Sequence, residues 1–416
     1  MLKIMKHSNH NIRTGGIAPN AGEKSRFKAL LAVSGLHFLN DLHPTLLPTV
    51  LPEIVKRLSL SLGEAGFLST LFGILNLLVQ PLAGQLADKT NKPHFALYAP
   101  LLTASGAYLL PVAPTYGAAL LFVAILGIGT ASFHPQGHGL TGIVGGNERL
   151  GSYLAIFAAA GTFGSALSPL YAVLLLRTLG PNLMPLALIL VIGFILLVKR
   201  WIPADTHEQE RADAANETER VRPKSDILTV LKVCSWLIII SIVRDSTFQG
   251  VRVFLPLLVT GRGGTIADGG AVLFAYTVAG SVANLFGGRM ADRFGKMPVV
   301  LVMLALAPLF MFPAIQSSGM TAITLFVIGG ACISATNPVT LAMAQQLAPE
   351  SRSTASSLVM GVSWGIANIV ASPIGIVADR IGLGRTLSVV ALCPWIIVAA
   401  HAANRFRKSR AGSARA

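Results

Sequence analysis

From about residue 29 to residue 403 the chain is a succession of apolar runs. Each is close to the ~20 residues that carry a helix across a bilayer. Lipid offers the backbone no hydrogen-bond partner, so each run must close its own hydrogen bonds, as a helix does. About twelve spans result. Six centre near Leu39, Leu75, Thr103, Leu126, Gly161 and Leu190, and six near Ser246, Val278, Leu304, Gly330, Ala367 and Ile396. The expected fold is all-α and integral to the membrane.

Charge is scarce and its placement is informative. Charged residues make up 12% of the chain, against about 25% in an ordinary soluble domain. The formal net charge is +15, yet the basic residues sit between apolar runs and not on one polar face, so nucleic acid is not the expected partner. With the amino terminus inside, cytoplasmic segments hold 24 Lys and Arg and external segments hold six. That bias places both termini in the cytoplasm. Residues 1–28 are basic without an apolar core, so they do not read as a cleavable signal. The polar segment 202–226 reads as a solvated linker. The expected organisation is a tail (1–28), a six-helix bundle (29–201), the linker (202–226), a second bundle (227–403) and a basic tail (404–416). Cys234, Cys332 and Cys393 lie in apolar runs and show neither a disulfide framework nor a zinc pattern.

The two bundles are related. Residues 84–93 read GQLADKTNKP and residues 288–297 read GRMADRFGKM, an offset of 204. Gly161, Ser168 and Pro169 recur as Gly365, Ser372 and Pro373 at the same offset, and SFHPQ at 132–136 resembles SATNPV at 334–339. Two pseudo-symmetric six-helix halves are therefore expected, with a solute site between them near the midplane. The repeated stretch falls in a short cytoplasmic turn. Gly84 and Gly288 allow close packing there, Asp88 and Asp292 suit a helix amino terminus, and Lys89 and Arg293 can pair with them. These six residues form an expected conformational latch.

The pattern G-x-x-x-D-(R/K)-x-G-(R/K) resembles the signature loop of the major facilitator superfamily. GGRMADRFGK fits it well, whereas the first copy has Asn91 where glycine is usual. HFLNDLHPTLLPTVLPE (37–53), GIGTASFHPQGHGL (127–140) and FLPLL (254–258) resemble the fosmidomycin-resistance-like branch of bacterial efflux carriers. The resemblance covers about residues 28–404. It implies a drug/proton antiporter fold in the bacterial inner membrane, carrying small, often anionic or amphipathic solutes.

Ionisable groups at membrane depth are costly and mark function. His37 and Asp41 lie four apart on one face of span one, with Asn40 beside them. Asp41 is the expected proton carrier, supported by His37 and His134, with Asp245 a further candidate. His134 and His138 close span four, where Pro135 and Gly137 are expected to break the helix. Arg244, Phe248 and Arg252 share a face of span seven, and arginine suits carboxylate or phosphonate groups. Arg244, Asn40, Gln80, Phe248, Arg252, Asn284, Asn337 and Asn368 are the candidate solute contacts. Neither a cofactor nor a resident metal is expected, and no nucleotide-binding GxxxxGK[ST] loop is present, so an enzyme is not expected. The expected function is proton-coupled efflux of a small organic solute by a monomer in the lipid bilayer. Uptake of an organic acid, a metal or metal-chelate carrier using His37, Asp41 and His43, and a membrane sensor are the alternatives.

Overall fold

The computed structural model describes residues 23–88, 92–202, 227–348, 355 and 358–413. The linker from residue 203, most of the amino-terminal tail and Lys89 fall outside these. Among the described residues there is no strand.

The first half comprises α1 (Glu23–Leu42), α2 (Leu46–Leu58), α3 (Leu62–Asp88), α4 (His94–Leu109), α5 (Tyr116–Thr178) and α6 (Leu188–Val198). The second comprises α7 (Ile227–Thr260), α8 (Ile266–Phe294), α9 (Lys296–Gln316), α10 (Gly319–Ala335), α11 (Asn337–Leu347), α12 (Ser363–Ile369), α13 (Ala371–Ile381), α14 (Leu383–Leu392) and α15 (Pro394–Ser413). Among the described residues, ten helical segments are long and apolar enough to cross a membrane. Expected spans one and seven fall on α1–α2 and on α7, which are not among the ten and carry most of the buried charge.

The rod formed by α1 and α2 is broken at His43–Thr45, where Pro44 offers no backbone N–H to the helical ladder. The amides of Leu46 and Leu47 bond the carbonyls of His43 and Pro44 instead. In contrast α5 runs as unbroken helix through Pro135 and Gly137, so the break expected there does not form. It holds two spans, Tyr116–Gly145 and Tyr153–Thr178. A straight helix would part His134 from Gly161 by about 40 Å, yet both reach the Asp41 carboxylate. The chain therefore folds back between them.

Two of the seams between the halves are related by the repeat. Gly66 of α3 faces α13, where an added Cβ would lie 2.4 Å from the Ala371 carbonyl oxygen. Gly270 of α8, 204 residues on, faces α5, where a Cβ would lie 2.6 Å from Val173. Only glycine permits the first approach, because the obstacle is backbone. Across the α3–α13 seam the Asp379 carboxylate accepts from the amides of Leu62 at 2.7 Å and Gly63 at 2.8 Å. The Thr70 hydroxyl lies within reach of the Asn368 and Ile369 carbonyls and accepts from the Ser372 amide. The Asp379 bonds sit at the start of α3, the end opposite the start of α1, and Thr70 lies about two turns farther along.

Candidate functional site

The first cluster is built on α1 and α5. His37 is buried at 6% exposure, its ring stacked on Phe157 at 4.0 Å. Its Nδ1 lies 2.8 Å from the Phe157 carbonyl oxygen. A carbonyl only accepts, so Nδ1 carries a hydrogen. Nε2 lies 3.1 Å from Asp41 Oδ2. A bare nitrogen facing an ionised carboxylate would be two acceptors in contact, so one proton belongs to this pair, on either partner. Asn40 donates to Asp41 Oδ1 at 3.0 Å and accepts from Thr103 at 2.9 Å, which fixes the carboxylate. His134 Nε2 stands 3.7 Å from Oδ1. Gly161 faces the pair so closely that a Cβ would fall 2.4 Å from the His37 ring.

The second cluster occupies the equivalent place in the other half. Asp245 follows Asp41 by 204 residues, and Arg244 follows Asn40 by the same interval. Arg244 is 1% exposed. Its Nε and Nη2 donate to the two Asp245 oxygens at 2.8 and 2.9 Å, and Nη1 donates to Thr340 at 2.7 Å. Ser363, placed by the π-helical turn at Leu358–Val362, lies 2.6 Å from Asp245 Oδ2. Arg244 is thus internally neutralised, with each nitrogen committed.

A third group spans the halves. Arg252 donates to Gln249 Oε1 at 2.9 Å and, in the opposite half, to Thr45. Its Nε is buried without a partner. Gln249 donates to Asn368 Oδ1 at 3.1 Å, while the Asn368 amide donates to the Trp364 carbonyl, so both ends of Asn368 are occupied. The Phe248 ring stacks on Tyr276 at 4.7 Å. Asn284 has a buried carbonyl oxygen with no partner. Asn337 opens α11, its carbonyl accepting from Thr340. Gln80 is exposed on a helix that continues past Pro81 to Asp88.

His43 belongs to none of these clusters. Its Nδ1 donates to the Leu39 carbonyl, and its Nε2 therefore accepts from Tyr108 at 2.8 Å. Tyr108 in turn accepts from Tyr171. Both His43 nitrogens are used, so the set His37, Asp41, His43 does not assemble. The atoms that do converge are those of His37, Asp41 and His134, within 4.8 Å of one another. His138 is not among the converging atoms but lies edge-on to Phe157 and to the His37 ring.

The latch residues lie at helix ends. A Cβ on Gly84 would meet Pro135 at 3.6 Å, and one on Gly288 would meet nothing within 4 Å. Asp292 and Arg293 are exposed, Arg293 lying over the Phe294 ring. The Asp88 side chain and Lys89 fall outside the described residues. Gly295, with φ at 88°, makes the turn where the first copy has Asn91.

Sequence reasoning missed Thr45, Thr103, Gln249, Thr340, Ser363 and Asp379. The first five look like ordinary helix-lining polar residues, and Asp379 like a solvated helix end. The exception was legible: Asp41 and Asp245 fall on the repeat interval already visible in Gly84 and Gly288.

Residues 33–372 match the Major Facilitator Superfamily. The chain is 26% identical over 384 residues to the fosmidomycin resistance protein of Escherichia coli (strain K12), covering 91% of this chain and 93% of that one. It is 25% identical over 385 residues to the uncharacterized MFS-type transporter YfnC of Bacillus subtilis (strain 168), covering 88% and 90%. In fold it is similar to a bacterial homolog of the human lysosomal transporter Spinster, with a TM-score of 0.72 at 15% identity, covering 91% and 96%. The chain is a multi-pass membrane protein and belongs to the major facilitator superfamily of secondary transporters.

Proposed function

We propose that the protein exports a small organic solute in exchange for protons across the bacterial inner membrane, as a monomer with both termini in the cytoplasm. The observation that carries this reading is the His37–Asp41 pair. It sits midway along a spanning segment with His37 buried and Asp41 largely so, lies 3.1 Å apart and, through the Phe157 carbonyl, must hold one proton. A pair of this kind can take up or release that proton when its surroundings change. Similarity to a drug-resistance protein supports export. The charge bias makes the α3–α13 seam the outer face, so the Asp379, Thr70 and Gly66 contacts are the closed outer gate. Rocking of the halves about the Asp41 and Asp245 clusters would then expose the site to either side.

The test is solute-driven proton movement. Full-length protein in liposomes carrying an internal pH dye should move protons when the transported solute is added, with a gradient imposed in either direction. Convergence of His37, Asp41 and His134 within 4.8 Å supports a second reading, a divalent-cation carrier. Flux of zinc that disappears in His134→Ala, without any organic solute moving protons, would establish that reading and end the first.

A further inference from the structure

Among the described residues, the charges buried in and between the halves do not balance. Arg244 and Asp245 cancel, at 2.8 and 2.9 Å. His37 and Asp41 together hold one proton and sum to zero whichever of them carries it. Arg252 remains. Among the described residues no carboxylate lies within 4.0 Å of it, whereas Arg244, two turns away on the same helix, has one. An arginine at membrane depth is ordinarily paired. Two of its nitrogens bond only neutral oxygens, those of Gln249 and Thr45, and Nε is buried with none.

The geometry points to Arg252, and not Arg244, as the anion-binding group of the solute path, taking a monoanionic carboxylate or phosphonate. This rests on the transporter reading above. Guanidinium binds such groups through two parallel N–H donors. On the edge formed by Nε and Nη2, one donor is unpartnered and the other meets a hydroxyl that an oxyanion would readily replace. The polar neighbours continue to Gln249 and Asn368. One turn back on α7 the stacked rings of Phe248 and Tyr276, at 4.7 Å, offer an apolar floor. These neighbours suit a small organic anion with an apolar or aromatic body. Because the displaced hydroxyl is that of Thr45 in the opposite half, an anion on this edge would remove one of the bonds that join the halves.

Matched ligands test the charge. Purified full-length protein in detergent is titrated with benzoate and benzamide, and with phenylphosphonate and its neutral diethyl ester. Thermal stabilisation gives apparent affinities for wild type, Arg252→Gln and Arg252→Lys. The expected result is stabilisation by the anion of each pair at least tenfold tighter than by its neutral partner. Arg252→Gln should lose that preference and Arg252→Lys should keep part of it, which also shows that the site still folds. Absence of anion binding in wild type, equal binding of the neutral partners, or a preference unchanged to within twofold in Arg252→Gln would each overturn the assignment. Failure of the transport reading is separate. Anions that bind through Arg252 but move no protons in liposomes would leave the site standing and remove the exchange function. Proton exchange of a solute that Arg252→Gln carries normally would do the reverse.

Discussion

Asp379→Ala should loosen the seam between α3 and α13. The carboxylate accepts two backbone amides, from Leu62 at 2.7 Å and Gly63 at 2.8 Å, across a sequence distance of more than three hundred residues. It acts as a cap for the amino terminus of α3 supplied by the other half. Removing a helix cap costs about 0.5–2 kcal/mol, and a charge at a helix amino terminus adds about 0.3–1 kcal/mol. Asp379 is exposed, so solvent screens the charge, and about 1–2 kcal/mol is the reasonable total. Because the cap exists only with the seam closed, this shifts the closed-to-open ratio by about 5–30-fold. Lys56 and Arg385 are exposed, at this face and in opposite halves. Spin labels on cysteines placed there, with Cys234, Cys332 and Cys393 replaced by serine, report the separation by pulsed dipolar spectroscopy. Asp379→Ala should raise the long-distance population by that factor, and Asp379→Asn, which keeps one acceptor, by less. A distribution unchanged to within twofold would mean that Ser61 and Glu64, which cap α3 locally, suffice without Asp379.

The same labels should show a larger opening in Gly66→Ala than in Gly270→Ala, because the first Cβ meets a carbonyl oxygen at 2.4 Å and the second a valine methyl that can rotate away. Asp245→Leu leaves Arg244 buried and unpaired and should cost about 3–5 kcal/mol by thermal or chemical denaturation. The double variant Arg244→Met/Asp245→Leu should recover most of that loss. Tyr108→Phe strips His43 Nε2 of its donor and should cost about 1–3 kcal/mol. Tyr171→Phe leaves that donor in place and should cost less.

The fold was legible because a bilayer leaves so few options for twenty apolar residues in a row. The repeat interval from Gly84 to Gly288 then paired the halves. Asp41 stood out for a related reason: a carboxylate in an apolar run has few structural uses. Its neighbours His37 and Asn40 on the same helix were legible, but the geometry around them was not. The Phe157 carbonyl that sets the His37 tautomer is backbone, and backbone contacts leave no mark on composition. The approach of His134 depends on α5 folding back after a helix that Pro135 does not break, contrary to the local expectation. Arg244 and Arg252 look alike in sequence, eight residues apart on one helix face. Only tertiary placement separates them, giving the first Asp245 and the second Thr45 from the opposite half. His43 shows the converse case. Its position beside His37 and Asp41 suggested a shared ligand set, but the Pro44 break turns it toward Tyr108.

The His37–Asp41 pair as proton carrier is the central claim, and Asp41→Asn in liposomes tests it most directly. Once the solute is identified, wild type and variant are compared in two modes: accumulation driven by a pH gradient, and exchange of labelled for unlabelled solute without one. The expected result is that Asp41→Asn loses accumulation and the accompanying proton flux but retains exchange, since the amide can still bond His37 and hold the site together. Uphill accumulation that persists in Asp41→Asn with its proton flux intact would contradict the account.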